Sequence, residues 1–281
     1  VVEHEGVRAR ARRESVRRIA DTARAQLAEV GAAGLSVRAV TRELGMAPSA
    51  VYRYFPSRDA LLTTLIVDAY AGLADAVAAA ESVVDRADLI GRWRAVFRAV
   101  REWGLARPHE YALIYGSPVP GYVAPEETAE PASRVPVLLA GIACEAWAAE
   151  LDGAASTAAP RTVARVEPRG EATAEPTAGP RTDVESRAEL AAAFAADSAQ
   201  RTTGGLVADA ERLIDFLRVA RPDLELPEVP AERALAVIDG WTELVGTVTF
   251  ELFGHYRRVI DARAEHLDAV ARRTAERAGV S

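Results

Sequence analysis

The stretch at 34–62, GLSVRAVTRELGMAPSAVYRYFPSRDALL, constrains this chain more than any other. Ser36 is placed to cap a helix, its hydroxyl accepting a backbone N–H that would otherwise be orphaned. Val37, Val40 and Leu44 fall at i, i+3 and i+7, one side of a short helix. Gly45 ends it, because a residue without Cβ enters the left-handed region freely. Ala47 precedes proline and is biased to extended geometry. Pro48 suits the first position of a second helix, where its missing N–H is no loss. That helix is expected to run to about Tyr54, with Val51 and Phe55 inward and Ser49, Ala50, Arg53 and Tyr54 outside. Two short helices joined by a glycine turn, the second polar and basic, form the arrangement that sets a helix into the major groove of DNA. The motif occupies 36–55 of an expected head at 1–62.

Charge agrees once the chain is divided. The net charge of −7 taken whole argues against nucleic acid. Residues 1–60, however, hold 11 arginines against 7 acids, a balance of +4, while the remainder holds 23 against 34, a balance of −11. A basic head on an acidic body lets one end meet phosphate while the other stays clear of it. All 34 basic residues are arginine, which points to GC-rich coding rather than to mechanism. Arg8, Arg10, Arg12 and Arg13 mark residues 1–13 as a flexible arm, either touching phosphate or minor groove or simply a solvated terminus.

The run L-G-M-x-P-x-x-V-Y-x-Y-F-P-S-R-x-x-L-L at 44–62 is more specific than that geometry. It resembles the N-terminal domains of the tetracycline-repressor-like (TetR) family, with Met46 in place of a valine and Arg58 in place of a lysine. The likeness is strong over residues 10–75 and looser beyond. It implies an all-α chain: a three-helix DNA-binding domain at 1–62, then a helical ligand-binding and dimerisation domain at 63–281. It also implies DNA contacts from Arg38, Pro48, Ser49, Ala50, Tyr52, Arg53, Tyr54 and Arg58. Arg38 and Arg53 are expected at guanine O6 and N7, where a bidentate contact contributes about 1–3 kcal/mol of discrimination. Ala50 is suited to a thymine methyl, Ser49 to either a donor or an acceptor, and Tyr52 and Tyr54 to phosphate. Arg58 opposes its own helix dipole unless a phosphate binds there.

Beyond the motif, apolar spacing predicts a helix at 15–30 closed by Gly31, a long one from Ser57, and one at 86–107. Further helices are expected at 108–115, from between Pro125 and Pro136 to Leu151, at 183–200, 206–220, 231–254 and 256–278. Residues 153–182 carry four prolines and three glycines with no aromatic, leucine or isoleucine, and read as a disordered loop. No continuous run of about 18 apolar residues appears, so no membrane span is expected; with no basic-then-apolar leader, the expected location is cytoplasmic.

The body's aromatics, Trp93, Phe97, Trp103, Tyr111, Tyr115, Trp147 and Trp241, either fill a core or line an apolar effector cavity. The segment at 106–125 and the later WTELVGTVTFELFGH resemble a C-terminal subtype of the same family named for a Trp-His-Gly signature, here Trp241, Val245 and Gly246 without the histidine. The expected partners are therefore a duplex DNA operator, a small-molecule effector and a second copy of the chain, joined through the last two helices, where Gly240, Gly246 and Gly254 permit close approach. No cofactor or metal is expected: Cys144 is the single cysteine, and His4, His109, His255 and His266 lack ligand spacing. No nucleophile–base pair or phosphate loop marks an enzyme. The competing reading is a helical small-molecule-binding or interaction protein that does not bind DNA.

Overall fold

Left-handed backbone at Gly31 (φ 68°) and Gly45 (φ 63°) divides the N-terminal region into its helices. The structure is a computed structural model describing residues 6–158, 204–224 and 228–281. Helix α1 (Val7–Gly34) turns at Gly31, and α2 (Val37–Glu43), α3 (Pro48–Tyr52) and α4 (Arg58–Ser82) follow. Next come α5 (Leu89–Ala106), α6 (Pro108–Tyr115), a 3-10 turn at Glu126–Thr128 and α7 (Ala129–Ala158). The C-terminal helices are α8 (Gly204–Ala220), α9 (Ala231–Leu252) and α10 (Arg263–Arg277). Among the described residues every regular element is helical, as expected for an all-α chain.

The chain divides into two compact units. The first holds residues up to Val84, Arg94–Val135 and Leu244–Asp268. Its N-terminal core is Ile19, Ala23 and Leu27 of α1, Val37 and Val40 of α2, Val51, Phe55, and Leu61, Leu62 and Leu65 of α4, all buried. Leu113 and Ile114 of α6, with Val119 and Tyr122 after it, close that core. Polar ties fix the seam: the Thr63 and Tyr122 hydroxyls lie 2.9 Å apart, and the Tyr70 hydroxyl donates to the Ile114 carbonyl at 3.3 Å. Elsewhere in this unit the Arg101 guanidinium grips Glu251 through two bonds, 2.7 and 2.6 Å.

The second unit holds Asp85–Trp93, Pro136–Glu243 and Ala269–Ser281. Here Arg92, fully buried, donates to Glu145 at 2.6 Å, and Trp93 Nε1 donates to the Thr274 hydroxyl at 3.1 Å. Trp147 and Leu151 pack with Val229, and Ala210, Ile214, Ala231 and Ala234 form a small core between α8 and α9.

Several expectations change in detail. Residues 7–13, read as an arm, form the first turns of α1, because alanine and arginine are both good helix formers; residues 1–5 lie outside the described residues. The second motif helix ends at Tyr52, two residues early. Residues 153–158 extend α7, while 159–182 and the helix expected at 183–200 lie outside the described residues. The last helix begins at Arg263, not 256, because left-handed Gly254 (φ 81°) and Arg258 (φ 62°) interrupt it with turns. One helix bears on the membrane expectation. Although no unbroken apolar run exists, α4 holds an 18-residue window of mean hydropathy 1.5 that by length and composition would span a bilayer. Half of that window is buried inside the chain, and its leucines fill the core just described.

Candidate nucleic-acid interface

The motif closes as its sequence requires. Ser36 extends at φ −135° and its hydroxyl accepts from Ala39 N, while Ser57 accepts from Ala60 N at 3.0 Å. Thr41, buried, returns its hydroxyl to the Val37 carbonyl at 2.7 Å. Ala47 is extended (ψ 138°) and Pro48 opens α3. Val51 and Phe55 anchor α3 from beneath, leaving Arg38, Pro48, Ser49, Tyr52 and Arg53 exposed and Ala50 partly exposed. A short polar helix thus stands clear on a closed apolar base, the arrangement major-groove readout needs.

Two expected contact residues are engaged within the chain. Arg58 turns its guanidinium towards the end of α1: Nε donates to the Leu35 carbonyl at 3.1 Å, and Nη2 to Ala32 at 2.8 Å and Ala33 at 3.2 Å. It therefore neutralises carbonyls left over at a helix C-terminus, where a cation is favourable, and its geometry is that of a tie between α4 and α1. Tyr54 is half-buried against the core. Its hydroxyl receives Arg53 Nη2 at 3.2 Å, and the Arg53 and Arg12 guanidinium carbons lie 5.2 and 5.4 Å from its ring centroid. A hydrogen bond with Ser15, another with Arg53 and the two positive charges favour the phenolate, so the Tyr54 pKa sits below its ordinary value. The reach of α1 to Tyr54 through Arg12 and Ser15 had no sequence signal beyond the density of arginines.

The expected effector aromatics are divided between the two units. In the first unit Phe97, Trp103 and Tyr111 are buried; the Tyr111 hydroxyl donates to the Val245 carbonyl at 3.0 Å, and burial pushes its pKa up to about 12. Tyr115 packs against Tyr70 and Tyr111, centroids 5.9 and 5.0 Å away, and burial raises its pKa as well. In the second unit Trp93 is fully buried and Trp241 half-buried. Of the seven, Trp147 alone lines the apolar cavity of that unit. The other walls are Ala140, Ala143 and Cys144 of α7, Leu213, Ile214 and Leu217 of α8, Val229, and Arg233, Ala234 and Val237 of α9. At about 20 Å³ the cavity is closed to anything larger than a water. Arg233 stacks on Trp147, 4.5 Å from the ring centroid, and pairs with Glu150. Sequence reasoning missed Ala140, Ala143 and Ala234 because alanines on two separate helices carry no sign that they face one space.

Gly240 answers to its own chain: a Cβ there would lie 3.0 Å from the Trp93 ring. At Gly246 the same atom would meet nothing within 4 Å, and α9 exposes Ile238 and Phe250, with Phe253 just beyond its end.

Two family models match the chain in order. The one described as "Bacterial regulatory proteins, tetR family" covers residues 19–65, and "Tetracyclin repressor-like, C-terminal domain" covers 93–174, stopping short of Trp241. Among curated proteins, the HTH-type transcriptional regulators Rv1816 of Mycobacterium tuberculosis (strain ATCC 25618 / H37Rv) and Mb1846 of Mycobacterium bovis are each 52% identical over 135 residues. Those matches take in 46% of this chain and 56% of each relative, so the chain spans about half the length of the curated relatives it matches. The crystal structure of protein SCO4313 is 28% identical with a TM-score of 0.58, over 95% of this chain and 98% of that one. A Rhodococcus sp. RHA1 protein of unknown function shares the fold at 18% identity and a TM-score of 0.56, over 98% and 97% of the two chains. The N-terminal and C-terminal models of one family are thus matched in order on a closed helix-turn-helix, and over residues 19–65 and 93–174 the chain is similar to the tetR family of bacterial regulatory proteins.

Proposed function

We propose that the chain is a DNA-binding transcriptional regulator, a repressor that binds a palindromic operator as a homodimer in the cytoplasm and is released by a small molecule. The observation that carries this reading is the exposure of Arg38, Pro48, Ser49 and Arg53 around α3 while Val51 and Phe55 beneath are buried. Pro48, Ser49 and Ala50 open α3, and a recognition helix reads bases from its N-terminal residues. Arg38 keeps its part as a guanine reader. Arg53, at the far end of α3, fits the phosphate backbone better than a base edge. Arg58 supports the motif rather than touching DNA.

One head makes few contacts, and two heads related by a two-fold axis meet half-sites about 34–36 Å apart. The apolar side of α9 with Ile238, Gly246 and Phe250 supports a mate at that surface. The effector enters the cavity of the second unit by parting α7, α8 and α9, since small-molecule sites run to about 300–1,000 Å³. It releases DNA only by binding the DNA-incompetent arrangement more tightly. Gel shift with fragments from the region upstream of the chain's own coding sequence tests the reading. A discrete complex resisting excess random duplex is expected; retardation that random duplex removes entirely would defeat it.

A further inference from the structure

The Arg12–Tyr54–Arg53 group lies outside α3 and joins the start of α1 to the end of the motif. Resting on the DNA-binding reading, we infer that Tyr54 is a positioning residue: its ring holds Arg12 and Arg53 together as one two-cation seat for the phosphate backbone beside the bases that α3 reads. Three observations meet here. Both guanidinium carbons lie within 5.4 Å of one ring centroid, the range of cation–π attraction. The Tyr54 hydroxyl accepts from Arg53 at 3.2 Å, orienting the group as well as attracting it. The ring itself is seated on the buried core, whereas Arg12 and Arg53 are exposed. An exposed arginine ordinarily wanders among rotamers and gives up that freedom on binding. Two arginines held over a ring that packs on the core have already given up part of it. Two like charges on one small patch repel, and an anion set between them relieves the repulsion. A phenol hydrogen-bonded to Arg53 is therefore an intermediary: the DNA oxygen goes to the guanidinium groups, and Tyr54 acts through them.

The test uses the full chain and a random-sequence duplex a few helical turns long, so that phosphate contact is read without knowing the operator. Each phosphate contact adds about 0.9 to the slope of log K against log salt. Tyr54→Leu should lower that slope by about 1–2 per head and add nothing further in an Arg12→Ala/Arg53→Ala background. Tyr54→Phe, which keeps the ring and loses the hydroxyl, should recover more than half, though not all, of the lost slope. A purely structural tyrosine would lower the melting temperature and leave the slope alone, and that result overturns the inference. If Tyr54→Leu does not fold, Tyr54→Phe carries the test: its slope must fall below wild type but stay above that of the double arginine variant, and a slope equal to wild type overturns the inference. Failure of the wild-type chain to bind any duplex would remove the DNA-binding reading itself, and this inference with it; binding by the wild type with an unaltered Tyr54→Leu slope removes this inference alone.

Discussion

Arg58→Ala separates two accounts of the same side chain. Read from sequence, Arg58 meets a phosphate at the start of α4. In the structure its guanidinium donates to the Leu35, Ala32 and Ala33 carbonyls at 3.1, 2.8 and 3.2 Å. A hydrogen bond from a charged donor contributes about 1.5–3 kcal/mol, and a cation at a partly buried helix C-terminus up to about 2 kcal/mol. These describe one interaction and are not summed. The side chain is also 30% exposed, so water replaces part of what is lost. The expected loss is about 2 kcal/mol, concentrated where α1, α2 and α4 meet. Native-state amide hydrogen exchange reads that locally: protection at Val40, Leu44 and Val51 should fall about thirtyfold, the factor equivalent to 2 kcal/mol. Arg58→Lys should recover only part, since an ammonium cannot reproduce the planar fork reaching three carbonyls. Unchanged protection, together with a DNA salt slope lowered by about 1 per head, would refute this reasoning and restore the phosphate role.

Other consequences follow from single contacts. Ser36→Ala removes the cap of α2 and should cost about 1 kcal/mol, read as a lower urea midpoint with unchanged m. Gly240→Ala puts a Cβ 3.0 Å from the buried Trp93 ring and should destabilise the second unit by about 1–3 kcal/mol, seen as an altered tryptophan emission and a lower melting temperature. Burial pushes the Cys144 thiol up to about 11, so at pH 8 it should react with a thiol reagent far more slowly in the native chain than in urea; equal rates would mean the cavity stands open. Asp223 is held at about 2 rather than 3.8, first by its hydrogen bonds from Arg221. A depressed carboxylate contributes stability above its unfolded pKa that is lost as pH falls through about 2, and Arg221→Ala should move the Asp223 titration, followed by NMR, back towards 3.8.

What the sequence made legible was local. Ser36, Gly45, Pro48 and Ser57 act within four residues of themselves, so spacing alone placed them, and the buried set of α4 followed from its apolar period. What spacing alone did not reach depended on distance along the chain or on flexible side chains. Arg58 is drawn to carbonyls 23–26 residues away, and no local pattern encodes that. The aromatics chosen as cavity walls mostly fill cores because they are the largest apolar groups available, while alanines leave the room that forms the cavity. The break before α10 rests on left-handed Arg258, a conformation that its residue type does not advertise.

The central claim is that paired copies of α3 read neighbouring major grooves. Hydroxyl-radical footprinting of the chain on DNA from its own upstream region addresses that claim most directly. The account predicts two protected patches centred about one helical turn apart, both lost in Arg38→Ala. A single unpaired patch, or protection that persists unchanged without Arg38, would contradict it.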